Sequence, residues 1–155
     1  PRCIPRSGVF PAGPFSQISA QMLAERYTVN VRSPFLLTQQ LLPSLHKTQG
    51  QIVFINSSAS AQVSLNNSSY AATKAALKTL ADGLRLEVNP TIRVLSVYPG
   101  RTATPMQERI FATEKKTYIP EKLLQPESVA ESIVATLALP HSAEGTDIFI
   151  RPTEK

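Results

Sequence analysis

Gly50-Gln51-Ile52-Val53-Phe54-Ile55-Asn56-Ser57-Ser58 is a short apolar run that starts after a breaker and ends in small polar residues. Its apolar positions are continuous rather than alternating, which describes a strand buried on both faces, and such strands belong to parallel sheets covered by helices. Beyond it, Ala71, Ala72, Ala75, Ala76, Leu77, Leu80, Leu84 and Val88 recur with helical period and predict a helix over about 69–88. Ile92 to Tyr98 then reads as a second strand, stopped by Pro99 and Gly100. On the other side, Met22, Leu23, Tyr27, Val31, Phe35, Leu36, Leu41, Leu42 and Leu45 predict a long helix from Ser19 to about His46. Pro34 removes a backbone donor inside that helix, so a bend is expected near Asn30 to Ser33.

Further out the pattern repeats. Residues 101–119 have no clear period and read as a loop with short helical pieces, whereas Pro126-Glu127-Ser128 opens a helix to about Leu139. Thr146 to Arg151 reads as a last short strand, and Pro1 to Pro14, with four prolines and two glycines, reads as irregular chain. Helix, strand, helix, strand, helix, strand implies an α/β parallel sheet with crossover helices.

Composition narrows the function. The 155 residues are 42% hydrophobic and 17% charged, the balance of one globular domain or a large part of one rather than of a disordered chain. No apolar run reaches the roughly 18 residues of a membrane span and no secretory leader is visible, so a soluble, cytoplasmic protein without a membrane partner is expected. The single Cys3 and the isolated His46 and His141 provide neither a disulfide nor a metal site. The net charge is +5 and the pI about 9.6, yet Lys and Arg are spread along the chain. That spread describes a solvated surface able to attract an anionic cofactor, not a nucleic-acid interface.

Tyr70-Ala71-Ala72-Thr73-Lys74 sets a phenol and an ammonium four residues apart on one helix face. A positive charge nearby favours phenolate, which would lower the tyrosine pKa and suit the hydroxyl to proton transfer. The Asn56 to Ser60 cluster follows a buried strand, and Pro99-Gly100-Arg101-Thr102-Ala103-Thr104-Pro105 follows the next. Carboxyl ends of parallel strands are where open α/β sheets bind ligands, so the two turns together make a cleft.

These residues, with Val29-Asn30-Val31 and Ile92-Arg93-Val94, resemble the short-chain dehydrogenase/reductase family from about Gly8 to the end of the chain. The resemblance implies a Rossmann-like parallel sheet with flanking helices, a cofactor that is NADP or NAD with NADP placed first, and hydride transfer between a small-molecule alcohol and a carbonyl. It makes Tyr70 the proton donor or acceptor. Lys74 would lower its pKa and bond the nicotinamide ribose, and Asn30 would hold a water in the proton relay. Pro99, Gly100, Thr102 and Thr104 would cover the nicotinamide and its phosphates. Ser58 is preferred as the serine that orients the substrate oxygen, because it ends the Ser-Ser pair. Ser57 competes, because it lies thirteen residues before Tyr70, the spacing frequent in the family.

The family's amino-terminal glycine-rich turn, which cradles the pyrophosphate, has no counterpart, since Gly8, Gly13, Gly50, Gly83, Gly100 and Gly145 are all far apart or isolated. Its Asn-Ala-Gly turn is represented by Arg6-Ser7-Gly8. The expectation is a single partial dehydrogenase domain over 1–155, amino-terminally truncated, with an irregular and unrelated start over about 1–7 and weak cofactor binding. A non-catalytic pseudoenzyme or dimerising subunit of the same fold is the alternative. A homo-oligomer is expected if the domain is complete, because the helices over 19–46 and 69–88 resemble those through which family members pair.

Overall fold

A computed structural model of the protein describes residues 2–3 and 13–153. Its centre is a four-stranded sheet, β1 (Arg2–Cys3), β2 (Gln51–Ile55), β3 (Arg93–Pro99) and β4 (Asp147–Ile150), in that order and parallel throughout. The helices are α1 (Ala20–Tyr27), α2 (Ser33–Lys47), α3 (Ser68–Val88), α4 (Pro105–Thr113) and α5 (Pro126–Leu137). Among the described residues, no helix is long and apolar enough to cross a membrane.

The continuous apolar run is explained by two cores. Ile52 and Phe54 of β2 join Cys3 and Val94 beneath Leu45 of α2 and Leu77, Ala81 and Val88 of α3. Val53 points the other way, with Leu95 and Val97, into a second core closed by Val129, Ile133 and Leu137 of α5. Adjacent residues of a strand face opposite sides of the sheet, so burial on both sides requires apolar residues at consecutive positions.

The bend near Asn30 is a wider helical turn, Thr28–Arg32, between α1 and α2. Ser33 N–H donates to Thr28 O, five residues back, and Pro34 lacks the N–H that a regular helix would send to the carbonyl of Asn30. Pro43 lies inside α2 without ending it.

The start of the chain differs from expectation. Arg2–Cys3, taken from composition as irregular chain, forms a strand in register with Gln51 and Ile52. Cys3 drives this, since it is buried in the first core and a short strand beside β2 satisfies its backbone there. The Arg6-Ser7-Gly8 turn lies outside the described residues. Within residues 101–119, which read as a loop with short helical pieces, the helical piece is the nine-residue α4, where the Thr104 hydroxyl accepts from Gln107 N–H and Pro105 occupies the first turn.

Candidate active site

The carboxyl ends of β2 and β3 open into a cleft of about 970 Å³. Its walls include Asn56, Ser57, Ser58, Tyr70, Pro99, Gly100, Thr102 and Thr104, so most of the positions singled out in the sequence meet in one place. Asn30 and Lys74 lie behind it. Both are buried, and Asn30 Nδ2 donates to Thr73 Oγ1 at 3.0 Å.

The phenol of Tyr70 is hydrogen-bonded to the side chain of Ser57. This differs from the preference for Ser58. Ser57 is extended, whereas Ser58 is already in the helical turn that follows. Ser57 Oγ also accepts from Ala59 N–H at 3.2 Å, capping the turn Ser58–Ser60 in which Ser58 begins the helical residues. The serine in contact with the phenol is the one thirteen residues before Tyr70, and Ser58 lines the same cleft. Asn56, one residue earlier, orients this turn by accepting from Ser57 N–H through Oδ1 at 3.0 Å.

Lys74 is only 3% exposed, and its Nζ donates to the carbonyl of Ile55 at 3.0 Å. The same ammonium stands 5.9 Å from the centroid of the Tyr70 ring. Burial pulls Lys74 down to about 8, because the charged form loses its hydration. Burial pushes the Tyr70 phenol up, with the Ser57 hydrogen bond acting in the opposite direction. A phenol pKa lowered by Lys74 was expected from the sequence. In the folded protein burial raises the Tyr70 phenol instead.

The loop after β3 is built mainly for position. Gly100 N–H donates to Ile150 O at 2.8 Å, which ties the loop to the end of β4. Thr102 Oγ1 donates to Gly100 O at 3.0 Å, and Thr104 caps α4. Arg101 makes a two-pronged ion pair with Glu114, which ties the loop to the end of α4 and holds the Glu114 carboxyl below its ordinary range.

Residues 4–115 match the family model described as short chain dehydrogenase. The chain belongs to the short-chain dehydrogenase/reductase family. It is 33% identical over 130 residues to a short-chain type dehydrogenase/reductase of Sinorhizobium fredii, covering 81% of this chain and 52% of the relative. It is 37% identical over 117 residues to an oxidoreductase of Escherichia coli K12, covering 75% and 45%. The chain therefore spans about half the length of the curated relatives it matches. Among solved structures, a protein assigned as a short-chain dehydrogenase of Escherichia coli CFT073, in complex with NADPH, superposes with a TM-score of 0.85 at 29% identity, covering 96% of this chain and 61% of that one. An alcohol dehydrogenase of Thermococcus sibiricus bound to 5-hydroxy-NADP superposes with a TM-score of 0.85 at 23% identity over 99% of this chain and 63% of that one, which supports the same Rossmann-like fold.

The donor set fits one end of a nicotinamide dinucleotide. Lys74 has three N–H donors, of which the Ile55 carbonyl takes one, and it lies beside a cleft walled by Tyr70 and the Pro99–Thr104 loop. Among the described residues no glycine has a positive φ, and none forms a glycine-rich turn for a pyrophosphate.

Proposed function

We propose that this domain transfers hydride between a nicotinamide cofactor and a small-molecule alcohol or carbonyl, with Tyr70 as the proton donor and acceptor. The observation that carries the reading is the meeting of Tyr70, Ser57 and buried Lys74 at the ends of two adjacent parallel strands. The cofactor, when bound, supplies or accepts the hydride. Tyr70 gives its proton to the carbonyl oxygen in reduction and recovers it in oxidation. Ser57, rather than Ser58, donates a hydrogen bond to the same oxygen, since its hydroxyl already meets the phenol. The Lys74 ammonium favours the phenolate left behind and offers its remaining N–H groups to the nicotinamide ribose. Asn30, bonded to Thr73, holds the back of this array and orders water behind Lys74. Pro99, Gly100, Thr102 and Thr104 form the wall against which the nicotinamide packs.

NADP(H) ranks ahead of NAD(H), because the solved relatives described above hold NADP-type ligands. A reducing, cytoplasmic setting agrees with the lone, buried thiol of Cys3. Carbonyl-dependent oxidation of NADPH tests the reading. Tyr70→Phe should abolish turnover while preserving cofactor binding, and a variant that keeps turnover would refute the role of Tyr70. The chain by itself should bind the dinucleotide weakly, so submicromolar affinity in titration calorimetry contradicts that expectation.

A second reading, a non-catalytic dimerising subunit, is favoured by an apolar groove between α1, α2 and α3 lined by Tyr27, Val31, Phe35 and Leu80. Tyr27, Phe35 and Leu80 are exposed there, and a second copy of the chain would cover them. A cofactor-independent dimer in sedimentation, together with an inactive full protein, would favour this reading over the first.

A further inference from the structure

We propose that Arg26 is a positioning residue for Tyr70, and that its buried guanidinium is retained to hold the first turn of α3 against α1. The proposal rests on the reading of Tyr70 as the proton-transfer residue.

Tyr70 is the third residue of α3, in a turn whose N–H groups have no partners within the helix. Asn67, which precedes it, does not cap that end, because its Oδ1 accepts from Ser64 N–H. An uncapped first turn frays easily, and a phenol carried on it would lose its register with Ser57. Two buried rungs from α1 and the turn after it supply the restraint. Arg26 Nη1 donates to Ser69 Oγ, and four residues further on in both segments Asn30 Nδ2 donates to Thr73 Oγ1. Thr73 Oγ1 in turn donates to the carbonyl of Tyr70 at 2.7 Å. The backbone of Tyr70 is thus held from the residue before it and from the turn after it.

Arg26 is 1% exposed, yet its Nε and Nη2 have no acceptor among the described residues, and no ion pair among them includes it. A buried charge bonded this incompletely costs stability, and an apolar side chain of similar length would avoid that cost. A residue that breaks the rule of satisfied burial beside a reactive group fits a role in geometry rather than stability.

Arg26→Met in the full chain should raise Tm while speeding amide hydrogen exchange at residues 69–73 roughly tenfold relative to the rest of α3. Arg26→Lys, which keeps a donor for Ser69, should return that exchange toward the parent level. In an active preparation, Arg26→Met should lower kcat by about tenfold with KM for the nicotinamide unchanged. A lower Tm with uniformly faster exchange, or failure of both variants to fold, would show a merely structural residue and overturn the proposal. Unchanged exchange and unchanged kcat would overturn it as well. Turnover retained by Tyr70→Phe would instead refute the catalytic reading, leaving the exchange result to judge the clamp.

Discussion

One helix carries two lysines, a turn apart, in opposite circumstances. Lys74 is buried, faces Tyr70 and has a backbone carbonyl for its bonded partner. Lys78 is partly exposed and pairs with Asp82 at 2.6 Å, and Arg85 closes on the same carboxylate at 3.0 Å. The second arrangement is ordinary surface electrostatics, which holds Asp82 below its usual range but contributes little to the fold. The first is costly to build, because among the described residues no carboxylate pairs with the ammonium to compensate its lost water. Buried, uncompensated charge at a cleft marks chemistry, whereas well-matched charge at the surface does not.

The largest effect should come from removing the phenol hydroxyl. Tyr70→Phe should reduce turnover at least about a thousandfold, on the order of 4 kcal/mol of transition-state stabilisation, as read from NADPH oxidation. Lys74→Met sharpens the contrast by moving two quantities in opposite directions. It should reduce turnover severely and yet stabilise the empty protein by roughly 2 kcal/mol in a denaturant melt at pH 7, since it removes a charge held at a cost. The two serines come next, with Ser57→Ala expected to slow turnover roughly a hundredfold and Ser58→Ala less than about threefold. The reverse order would restore Ser58.

The pH dependence follows from the same lysine. Its folded pKa of about 8 lies below the ordinary 10.5, so between these values the unfolded chain binds more protons and stability rises with pH. The rise should be on the order of 1 kcal/mol between pH 8 and about 9. Above that it is opposed by Cys3, Tyr70 and Tyr98, whose pKa values burial raises and whose unfolded forms ionise first. Lys74→Met should flatten the rise in urea melts across this range. The smallest effect belongs to the surface pair, where Lys78→Met should change stability by less than about 0.5 kcal/mol and leave turnover unaltered.

Much of the architecture was legible because burial on two faces leaves a mark in a single stretch of chain. The run from Ile52 to Ile55, the small-residue face of α3 and the proline at 34 were each sufficient for their elements. Arg2–Cys3 was not legible, because two residues have no period and their pairing depends on β2, about fifty positions away. α4 was legible only as a helical piece without bounds, because its periodicity is weak, although Thr104-Pro105 is a start signal in plain view. In the candidate site, Tyr70 and Lys74 were readable from local spacing, since one helical turn brings them to the same face. Which serine meets the phenol was not, because that contact depends on the turn the chain makes after β2.

By itself the order of residues determined a parallel α/β sheet, the Tyr70-Lys74 pair and the polar turns that close on it, since periodicity and local spacing set which faces are apolar and which groups lie a turn apart. Tertiary structure alone decided that Ser57 meets the phenol, that burial raises Tyr70 and lowers Lys74, and that Arg26 lies sealed between α1 and α3. Those outcomes depend on which distant segments exclude water from a group and which atoms they bring within reach, and solvation is a property of the packed molecule rather than of any stretch of its chain.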